Sequence, residues 1–253
     1  MDNGVIKSAN RMFYDSNLKS IPFDIFLGGS GYNDCREMFM LMGNLSTVSL
    51  TVYRPNDLAY MFYNCGLLKT INLIIETTDY VNNTSISGDF EYMFANCKKL
   101  TSISNLSGLY CYGSGKNLLN CNAFKGCNAL TAIRGIDIGY YAQGNVNYCG
   151  YQPFKDCYAL EELTFTFRSS NLSNQTLDIT GNVGYQYDIN TSKYNRTSAV
   201  NTINSLPDLS NGSNNIIKFN GNSGLSTDGG AISTMTEEEV AVAIAKGWTV
   251  SYV

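Results

Sequence analysis

The sequence predicts an α/β-type solenoid with a parallel sheet on one face, short helical turns opposite, and a C-terminal cap made of a helix and a strand. The main observation is an internal repeat in which Phe, Cys, Leu and then Ile or Leu follow one another at three-residue intervals. Its complete copies are Phe62/Cys65/Leu68/Ile71, Phe94/Cys97/Leu100/Ile103, Phe124/Cys127/Leu130/Ile133 and Phe154/Cys157/Leu160/Leu163. Such a repeat is typical of supersecondary units that bury their apolar faces only by stacking on one another.

Two degraded copies precede the complete ones. Met replaces Cys in Phe39/Met42/Leu45/Val48, and Phe13/Ser16/Leu18/Ile21 is one residue short. Successive phenylalanines of the six copies are 23 to 32 residues apart, a period typical of repeat architectures. Pro22 has no backbone N–H, so it suits the edge strand at the exposed end of the sheet.

Each copy predicts a turn followed by a strand. Phe and Cys at positions i and i+3 fit one short helical turn with one face inward. The residues at the end of this turn tolerate the backbone that stops a helix: Asn64, Asn96 and Gly126. Alternation after the Leu, as in Ile71-Asn-Leu73, predicts a short strand with one buried face. The second apolar residue comes one position late at Leu106 and Ile136, which predicts a small bulge there.

The pattern Phe-x-x-Cys-x-x-Leu-x-x-Ile resembles the BspA-like, or treponemal-type, leucine-rich repeat over roughly residues 10–165. The resemblance implies a right-handed solenoid that displays a binding surface. Members of that family are commonly surface proteins of bacteria, and similar repeats occur in phage proteins. The copies in this chain are longer than the usual coil of the family, so the connecting loops depart from its pattern.

Three short elements are predicted outside the repeated core. Residues 176–182 alternate as a second strand within an insert. Residues 199–206 place apolar side chains on one face of a short helix, which Pro207 stops. Residues 216–222 predict a strand that ends in a turn.

The C-terminal segment predicts the start of the cap. Thr236 and Glu239 form a capping box at the beginning of a helix over residues 237–246. This helix is expected to bury Val240 and Ile244 on one face. Glutamates in its first turn suit the positive end of the helix dipole.

The cap is completed by a strand. Gly247 is expected to end the helix in a left-handed conformation, and residues 248–253 then alternate as a final strand. Trp248 is expected to seal the core of the cap rather than to bind a ligand. The whole chain is predicted to be one domain, residues 1–253, with repeats over about 10–185 and divergent coils and the cap over about 186–253.

Long inserts rich in Tyr, Asn, Ser and Gly separate each strand from the next Phe, over roughly residues 74–89, 106–120, 136–150 and 168–185. Such mixtures are typical of recognition loops, because rigid aromatic faces with polar tips lie among flexible hydrogen-bonding neighbours. The candidate binding residues here are Tyr110, Tyr112, Tyr140, Tyr141 and Tyr148. Alternatively, these tyrosines pack loop against loop along the flank.

The strand positions that flank each buried Ile predict a second candidate surface. One row is Ser20, Thr47, Thr70, Ser102, Ala132 and Glu162, and the next is Pro22, Ser49, Asn72, Ser104, Arg134 and Thr164. These rows are small and uncharged until the last two copies, so the face offers hydrogen bonds to an extended peptide or a glycan. Its candidate binding residues are Thr70, Asn72, Arg134 and Glu162. A solvated face without a ligand is the alternative.

The chain contains 8 cysteines, and their positions divide them into two groups. Cys65, Cys97, Cys127 and Cys157 hold one repeat position, so they are expected to form an interior ladder of small apolar groups. Cys35, Cys111, Cys121 and Cys149 lie outside that position and are the better disulfide candidates. The sequence has no Cys-x-x-Cys pair, which argues against a zinc ribbon or a thioredoxin-like centre.

The residue types present argue against catalysis. The chain has no His, which excludes Ser-His-Asp and Cys-His nucleophile pairs and every His metal site. A glycosidase needs two facing carboxylates, and the one acidic pair on a predicted strand, Glu161-Glu162, points to opposite faces. We therefore predict no enzyme, no cofactor and no metal site.

Charge and hydropathy limit the kinds of partner. The net charge of −4 and the pI of about 4.9 argue against a nucleic-acid backbone. No apolar run is long enough to insert into a membrane as a spanning helix. The protein is therefore expected to bind protein or glycan, or to assemble with other structural proteins.

The expected function is that of a non-enzymatic recognition module, a surface or adhesion protein that binds protein or glycan. The alternative is a structural or host-attachment component of a phage particle, such as a tail or head appendage. No secretory signal is visible after Met1, which favours the phage alternative, whereas the usual habitat of the resembled family favours the bacterial surface. The two locations, bacterial surface or virion, stay open.

Overall fold

The computed structural model describes residues 8–21, 25–27, 33–53, 55–76, 90–104, 122–137, 153–166, 176–178, 194–219 and 232–252. Within these ranges the chain forms small parallel sheets and few helices, with no closed barrel. The strands are β1 Ile25–Leu27, β2 Asn33–Asp34, β3 Thr47–Tyr53, β4 Pro55–Asp57, β5 Thr70–Glu76, β6 Ser102–Ser104, β7 Ala132–Asp137, β8 Glu162–Thr166, β9 Thr176–Asp178, β10 Asn215–Phe219 and β11 Trp248–Tyr252. The α-helices are α1 Arg196–Ser205 and α2 Glu237–Ala245, and a 3₁₀ turn covers Ile232–Thr234.

The sheets place equivalent positions of successive repeats side by side. One sheet has the order β1-β3-β5-β6, and β7 pairs with β8 in another. Val48 pairs with Ile71, and Ile71 pairs with Ile103, so the last apolar position of the repeat forms a line across the strands. Val48 and Ile71 are buried because alternate side chains of a strand share one face. The predicted parallel register of the repeats is confirmed here.

The predicted bulge at Ile136 is confirmed. The pairing of β7 with β8 shifts register between Ile133 and Ile136, so that Ile136 lies opposite Phe165. Gly135 adopts a φ of +68°, and its N–H donates to Thr164 Oγ1 at 3.0 Å. The extra residue returns Ile136 to the buried face. Leu106, where a similar bulge was predicted, lies outside the described residues.

The segments that begin each repeat are not the helical turns predicted from the Phe–Cys spacing. Their N–H groups alternate between two kinds of acceptor. Tyr63 N–H donates to Tyr60 O within the repeat at 3.0 Å. The flanking Phe62 and Asn64 N–H groups donate to the next repeat, to Met93 O at 2.8 Å and Ala95 O at 2.9 Å. An α-helix would use its own i−4 carbonyls, so these segments are successive tight turns joined into a ladder between repeats.

A left-handed backbone closes each turn segment. Asn64 and Asn96 have a φ of +62° and Gly126 has +78°, as expected from their residue types. The same position is also left-handed at Asp156 and at the bulkier Leu41. Such a φ costs a bulky residue on the order of 1–3 kcal/mol, so the surrounding hydrogen bonds must hold it in place.

The Phe residues of the six repeats form a continuous aromatic column. The Phe rings of successive repeats stack nearly parallel, with centroids separated by 5.1 to 6.0 Å. The column runs in chain order through Phe13, Phe39, Phe62, Phe94, Phe124 and Phe154. All but Phe13 are fully buried. Because each internal ring fills space between two repeats, the column couples their packing.

The cysteines of the repeat are buried as predicted, but they are more than apolar fillers. Cys65 Sγ donates to Phe39 O of the preceding repeat at 3.0 Å, and Cys97 Sγ donates to Phe62 O at 3.1 Å. Cys127 and Cys157 make the same bond to the preceding Phe carbonyl. None of these four thiols forms a disulfide, and buried Cys35 forms none either, so the prediction that made Cys35 a disulfide candidate is wrong. Cys111, Cys121 and Cys149 lie outside the described residues.

Helix α1 covers the exposed edge of β8. It begins earlier than predicted, after the N-cap residue Asn195. Thr202 Oγ1 donates to Leu163 O at 2.8 Å, and Phe165 N–H donates to Ser205 Oγ at 3.3 Å. The hydroxyl groups of α1 therefore form hydrogen bonds with backbone groups of β8 that a strand of a further repeat would otherwise pair with.

The C-terminal sheet has the order β11-β10-β9, and α2 contacts both β11 and α1. The predicted capping box of α2 is confirmed, because Thr236 Oγ1 accepts from Glu239 N–H and Glu239 Oε2 accepts from Thr236 N–H. Gly247 has the expected left-handed φ of +80°. Trp248 is buried and donates from Nε1 to Pro207 O at 2.9 Å.

The predicted buried face of α2 is wrong at one position. Ile244 is 62% exposed, Val240 is half-buried, and Ala243 is the buried residue. Neighbouring helix positions point about 100° apart, so a helix that packs through Ala243 turns Ile244 toward solvent.

The aromatic column predicts a large cost for removing one ring. We expect Phe94→Ala to lower the free energy of unfolding by ~3–5 kcal/mol, because the ring fills a layer shared with Phe62 and Phe124. Urea denaturation measures this change. Ile244→Ala is the matched control, expected within about 0.5 kcal/mol of the wild type because that side chain is exposed. An unchanged midpoint in the Phe94 variant would contradict the column.

The buried thiols predict a loss of stability in alkali. Burial raises the pKa of the Cys65 thiol to about 12 from an ordinary value of 9.0. The stabilising contribution of the protonated thiol is therefore complete below pH 9 and is lost as pH rises to about 12. In that window we expect this thiol to lower the free energy of unfolding by about 1.4 kcal/mol per pH unit.

Urea denaturation at several pH values between 8 and 11 tests this dependence. Cys65→Ser keeps a hydrogen-bond donor but removes the thiolate, so its curve should fall less steeply with pH. Equal slopes in the two proteins would contradict the raised pKa of Cys65. Rapid labelling of native Cys97 and Cys127 by a thiol reagent would contradict the burial of the repeat thiols.

Candidate functional site

The outward face of the four-stranded sheet carries polar side chains in register. Thr47 pairs with Thr70, and Thr70 pairs with Ser102, which forms a row of hydroxyls across β3, β5 and β6. An isolated bridge between Ser20 and Thr47 extends this row to the first repeat. Thr47, Thr70 and Ser102 are exposed. Their regularity follows from the strand pairing, which sets neighbouring hydroxyls about 4.8 Å apart along the row.

A second row lies two residues further along the strands. Ser49 pairs with Asn72, and Asn72 pairs with Ser104. The Asn72 side chain is exposed, and its Nδ2 donates to Ser49 Oγ at 3.2 Å. This bond fixes the orientation of the amide above the sheet. The two rows together offer donors and acceptors without charge, as predicted.

Arg134 on β7 and Glu162 on β8 form an ion pair across neighbouring strands. Arg134 Nε donates to Glu162 Oε1 at 2.7 Å, and Nη2 donates to Oε2 at 2.5 Å. The two side chains are 67% and 33% exposed. The hydrogen bond from Arg134 lowers the pKa of Glu162 below its ordinary value. The pair therefore stays charged over a wide pH range and presents both signs on the surface.

The structure thus groups the strand-face candidates in two places. Thr70 and Asn72 lie on one strand of the four-stranded sheet, whereas Arg134 and Glu162 face each other in the β7-β8 sheet. Strand β6 contacts β7, but the sheet pairing does not continue between their described residues. The loop candidates Tyr110, Tyr112, Tyr140, Tyr141 and Tyr148 lie outside the described residues.

The turn segments carry an aromatic cluster that the sequence reasoning missed. Tyr60 and Tyr92 stack with ring centroids 5.3 Å apart, and Tyr63 packs edge-on against both at 5.6 and 6.1 Å. The Arg36 guanidinium lies over the Tyr60 ring, 5.3 Å from its centroid. Burial, followed by the charge of Glu91, raises the pKa of Tyr60. The missed signal is that Tyr60 and Tyr92 both stand two residues before the Phe of their repeat.

Carboxylates on this flank serve the backbone and nearby arginines. Asp34 Oδ1 accepts from Arg36 N–H at 3.0 Å, and Asp57 Oδ1 accepts from Ala59 N–H at 2.8 Å. The two aspartates pair across β2 and β4, and both stand eight residues before the Cys position of their repeats. Arg36 also bridges to Asp57 at 3.4 Å. These carboxylates therefore stabilise the turns.

Among the residues described, no three or more His, Cys, Asp or Glu side chains are grouped so as to hold a metal ion. No helix in the same parts of the chain is both long and apolar enough to cross a membrane. Glu162 is the carboxylate that a hydrolase activity would require. It accepts a hydrogen bond from Arg134 on the neighbouring strand.

Comparisons with models of protein families, with curated proteins and with solved structures give no match for this chain.

The ion pair predicts a measurable change in a titration. We expect Arg134→Met to raise the pKa of Glu162 toward its ordinary value of 4.5, because the first cause of the lowered value is the hydrogen bond from Arg134. Carboxyl-carbon NMR of Glu162 measures it. Since the pair is exposed, the same variant should change the free energy of unfolding by less than about 1 kcal/mol at pH 7.

The contribution of the pair is present above the unfolded pKa of Glu162 and is lost as pH falls through the lowered folded value. Arg134→Lys is the matched control, because it keeps the charge and loses the two-pronged geometry, so the pKa of Glu162 should lie between the other two. An unshifted titration in Arg134→Met would contradict the pairing.

Proposed function

We propose that the chain is a non-enzymatic recognition module built as a right-handed leucine-rich repeat solenoid of the BspA-like type. It acts as a surface or adhesion protein that binds protein or glycan through the outward face of its sheet. The observation that carries this proposal is the registered, uncharged polar rows that include Thr70 and Asn72, with the Arg134–Glu162 pair on the following strands.

The solenoid is supported by bonds that join the repeats in chain order. Strand pairing joins the first four repeats and, separately, the fifth to the sixth. The turn ladder joins the fourth to the fifth as well, through Phe94 N–H to Ala123 O at 2.8 Å and Asn96 N–H to Lys125 O at 2.7 Å. Because each repeat contacts the next in the same register, a continuous stack is the simplest arrangement. Helix α1 then covers its last strand and the C-terminal elements complete one domain.

The surface chemistry supports a polar ligand. The apolar positions of the repeats are used inside, and Val48, Leu50, Ile71 and Leu73 are all buried. What remains outside on β3 and β5 is mainly hydroxyl and amide groups, which both donate and accept hydrogen bonds. Sugar hydroxyls and peptide backbones need this combination, and repeated units can follow repeated strands. The Arg134–Glu162 pair adds a charged boundary that can orient such a ligand.

The alternative is a structural or host-attachment component of a phage particle. The same ladders and the Phe column support it, because they make a stack stiffened along its length. In that role the polar rows would contact other structural proteins, and no free glycan would be bound.

An array of glycans and host proteins probed with the purified full chain tests the function. We expect binding that is weakened at least about tenfold, or about 1.4 kcal/mol, by a Thr70→Lys/Asn72→Lys variant, because two long charged side chains would cover both rows. The control is Lys98→Ala/Lys99→Ala, a change on the exposed turn of a neighbouring repeat that should leave binding unaffected.

A third variant, Tyr110→Ala/Tyr112→Ala/Tyr140→Ala/Tyr141→Ala, distinguishes the loops from the sheet face. Loss of binding in this variant alone would move recognition to the Tyr-rich inserts. Absence of binding by the unmodified chain would favour the role in a phage particle.

A further inference from the structure

The repeats show what a turn segment requires from the repeat before it. At each junction the Phe N–H donates to the carbonyl just before the next Phe, as from Phe39 to Met61 O at 2.9 Å. The N–H two residues later donates to the carbonyl just after that Phe, as from Leu41 to Tyr63 O at 2.9 Å. Where the Cys is present, its thiol donates back to the Phe carbonyl of the preceding repeat.

The first repeat offers these same groups without a partner. The carbonyls equivalent to Met61 O and Tyr63 O are those of Met12 and Tyr14, and neither accepts a hydrogen bond in the part of the chain that the structure describes. Met12 is 41% exposed, whereas Met38 and Met61 at the same position are fully buried. Among the described residues, the first repeat therefore keeps both apolar surface and two backbone acceptors open.

Two further groups complete this open end. Phe13 stacks on Phe39 at 5.4 Å but is only half-buried, and no described residue stacks on its second ring face as the internal rings are stacked. Ser16 replaces Cys in the first repeat, and its Oγ accepts from Leu18 N–H at 3.4 Å. The hydroxyl proton of Ser16 points to no acceptor among the described residues, and it stands where the thiols of later repeats donate to a preceding carbonyl.

We propose that this open end, defined by Met12, Phe13, Tyr14, Ser16 and Leu18, binds an aromatic-containing peptide segment of another protein in the register of an internal repeat. The aromatic residue donates its N–H to Met12 O, accepts from Ser16 Oγ at its own carbonyl, and stacks its ring on Phe13. The residue two positions later donates its N–H to Tyr14 O.

A second copy of this chain does not fit the open end. A head-to-tail pair would need an open last repeat, but Phe154 is fully buried and α1 covers the edge of β8. In a pair joined through two first repeats, the Met12 and Tyr14 carbonyls of one copy would face the same carbonyls of the other copy. No N–H group would lie between them to form a hydrogen bond. Residues 1–7 contain no aromatic residue that could stack on Phe13, so the occupant is a different polypeptide that supplies both the donors and the ring. This surface is separate from the sheet face and does not depend on the function proposed for that face.

A fluorescent peptide copied from the fifth repeat, residues 122–131, is the probe. It contains Phe124 and Gly126, whose N–H groups already donate in this register to Pro153 O and Lys155 O. Fluorescence anisotropy with the full chain should give saturable binding. The same peptide N-methylated at both amides lacks the two donors and should bind at least about tenfold more weakly.

Variants of the full chain locate the binding. Leu18→Lys should weaken the peptide at least about tenfold, because it places a charge in the open end. Leu67→Lys is the matched control, since Leu67 is 48% exposed against 46% for Leu18 but lies within the stack, and it should leave binding within about twofold.

Equal binding of the methylated peptide, or an equal loss in both variants, would overturn the proposal. It would also be overturned if the full chain showed no saturable binding. If binding appeared only after removal of residues 1–7, the occupant would be this chain's own N-terminal segment instead.

Discussion

The register between successive repeats is the constraint on which the rest of the structure depends. Each of the six Phe carbonyls accepts from the N–H three residues later, and four of them also accept from the thiol of the next repeat. The Phe N–H meanwhile donates forward. A slip of one residue would break these bonds and turn the ring out of its column, so pairing and packing specify the same alignment. The same hydrogen bonds and packing also hold Leu41 and Tyr60 in a left-handed backbone conformation.

Much of the fold follows from the spacing of residues, but the turn geometry does not. Three-residue intervals predict which positions are buried, and alternation predicts the strands and the late Ile136. A three-residue interval suits one helical turn and a series of tight turns equally well. The tight turns form because the neighbouring repeat accepts alternate N–H groups, and the local sequence does not show this. The prediction that Ile244 is buried was wrong for a similar reason. The buried face of α2 is set by its contact with α1, and no local sequence pattern contains that contact.

The candidate surfaces divide in the same way. Alternation along each strand places Thr70 and Asn72 outside, so the polar rows could be predicted. The contact between Arg134 and Glu162 could not, since it needs the alignment of β7 with β8, which sets Glu162 opposite Ala132, two residues before Arg134. Tyr60 and Tyr92 were missed because each appears unremarkable in its own segment. Their relation becomes visible only when residues are counted from the Phe of each repeat, which is how the stack brings them together.

The first and last repeats differ in how their backbone groups are satisfied. Thr202 and Ser205 of α1 satisfy the last strand, whereas the carbonyls of Met12 and Tyr14 accept no bond among the described residues. On the function proposed above, the sheet face repeats at the strand spacing, so a ligand with repeated units would gain contacts with each repeat. The open end occurs once and suits a single segment. With both proposed surfaces, the chain would hold one partner along its sheet face while attached to another at its first repeat.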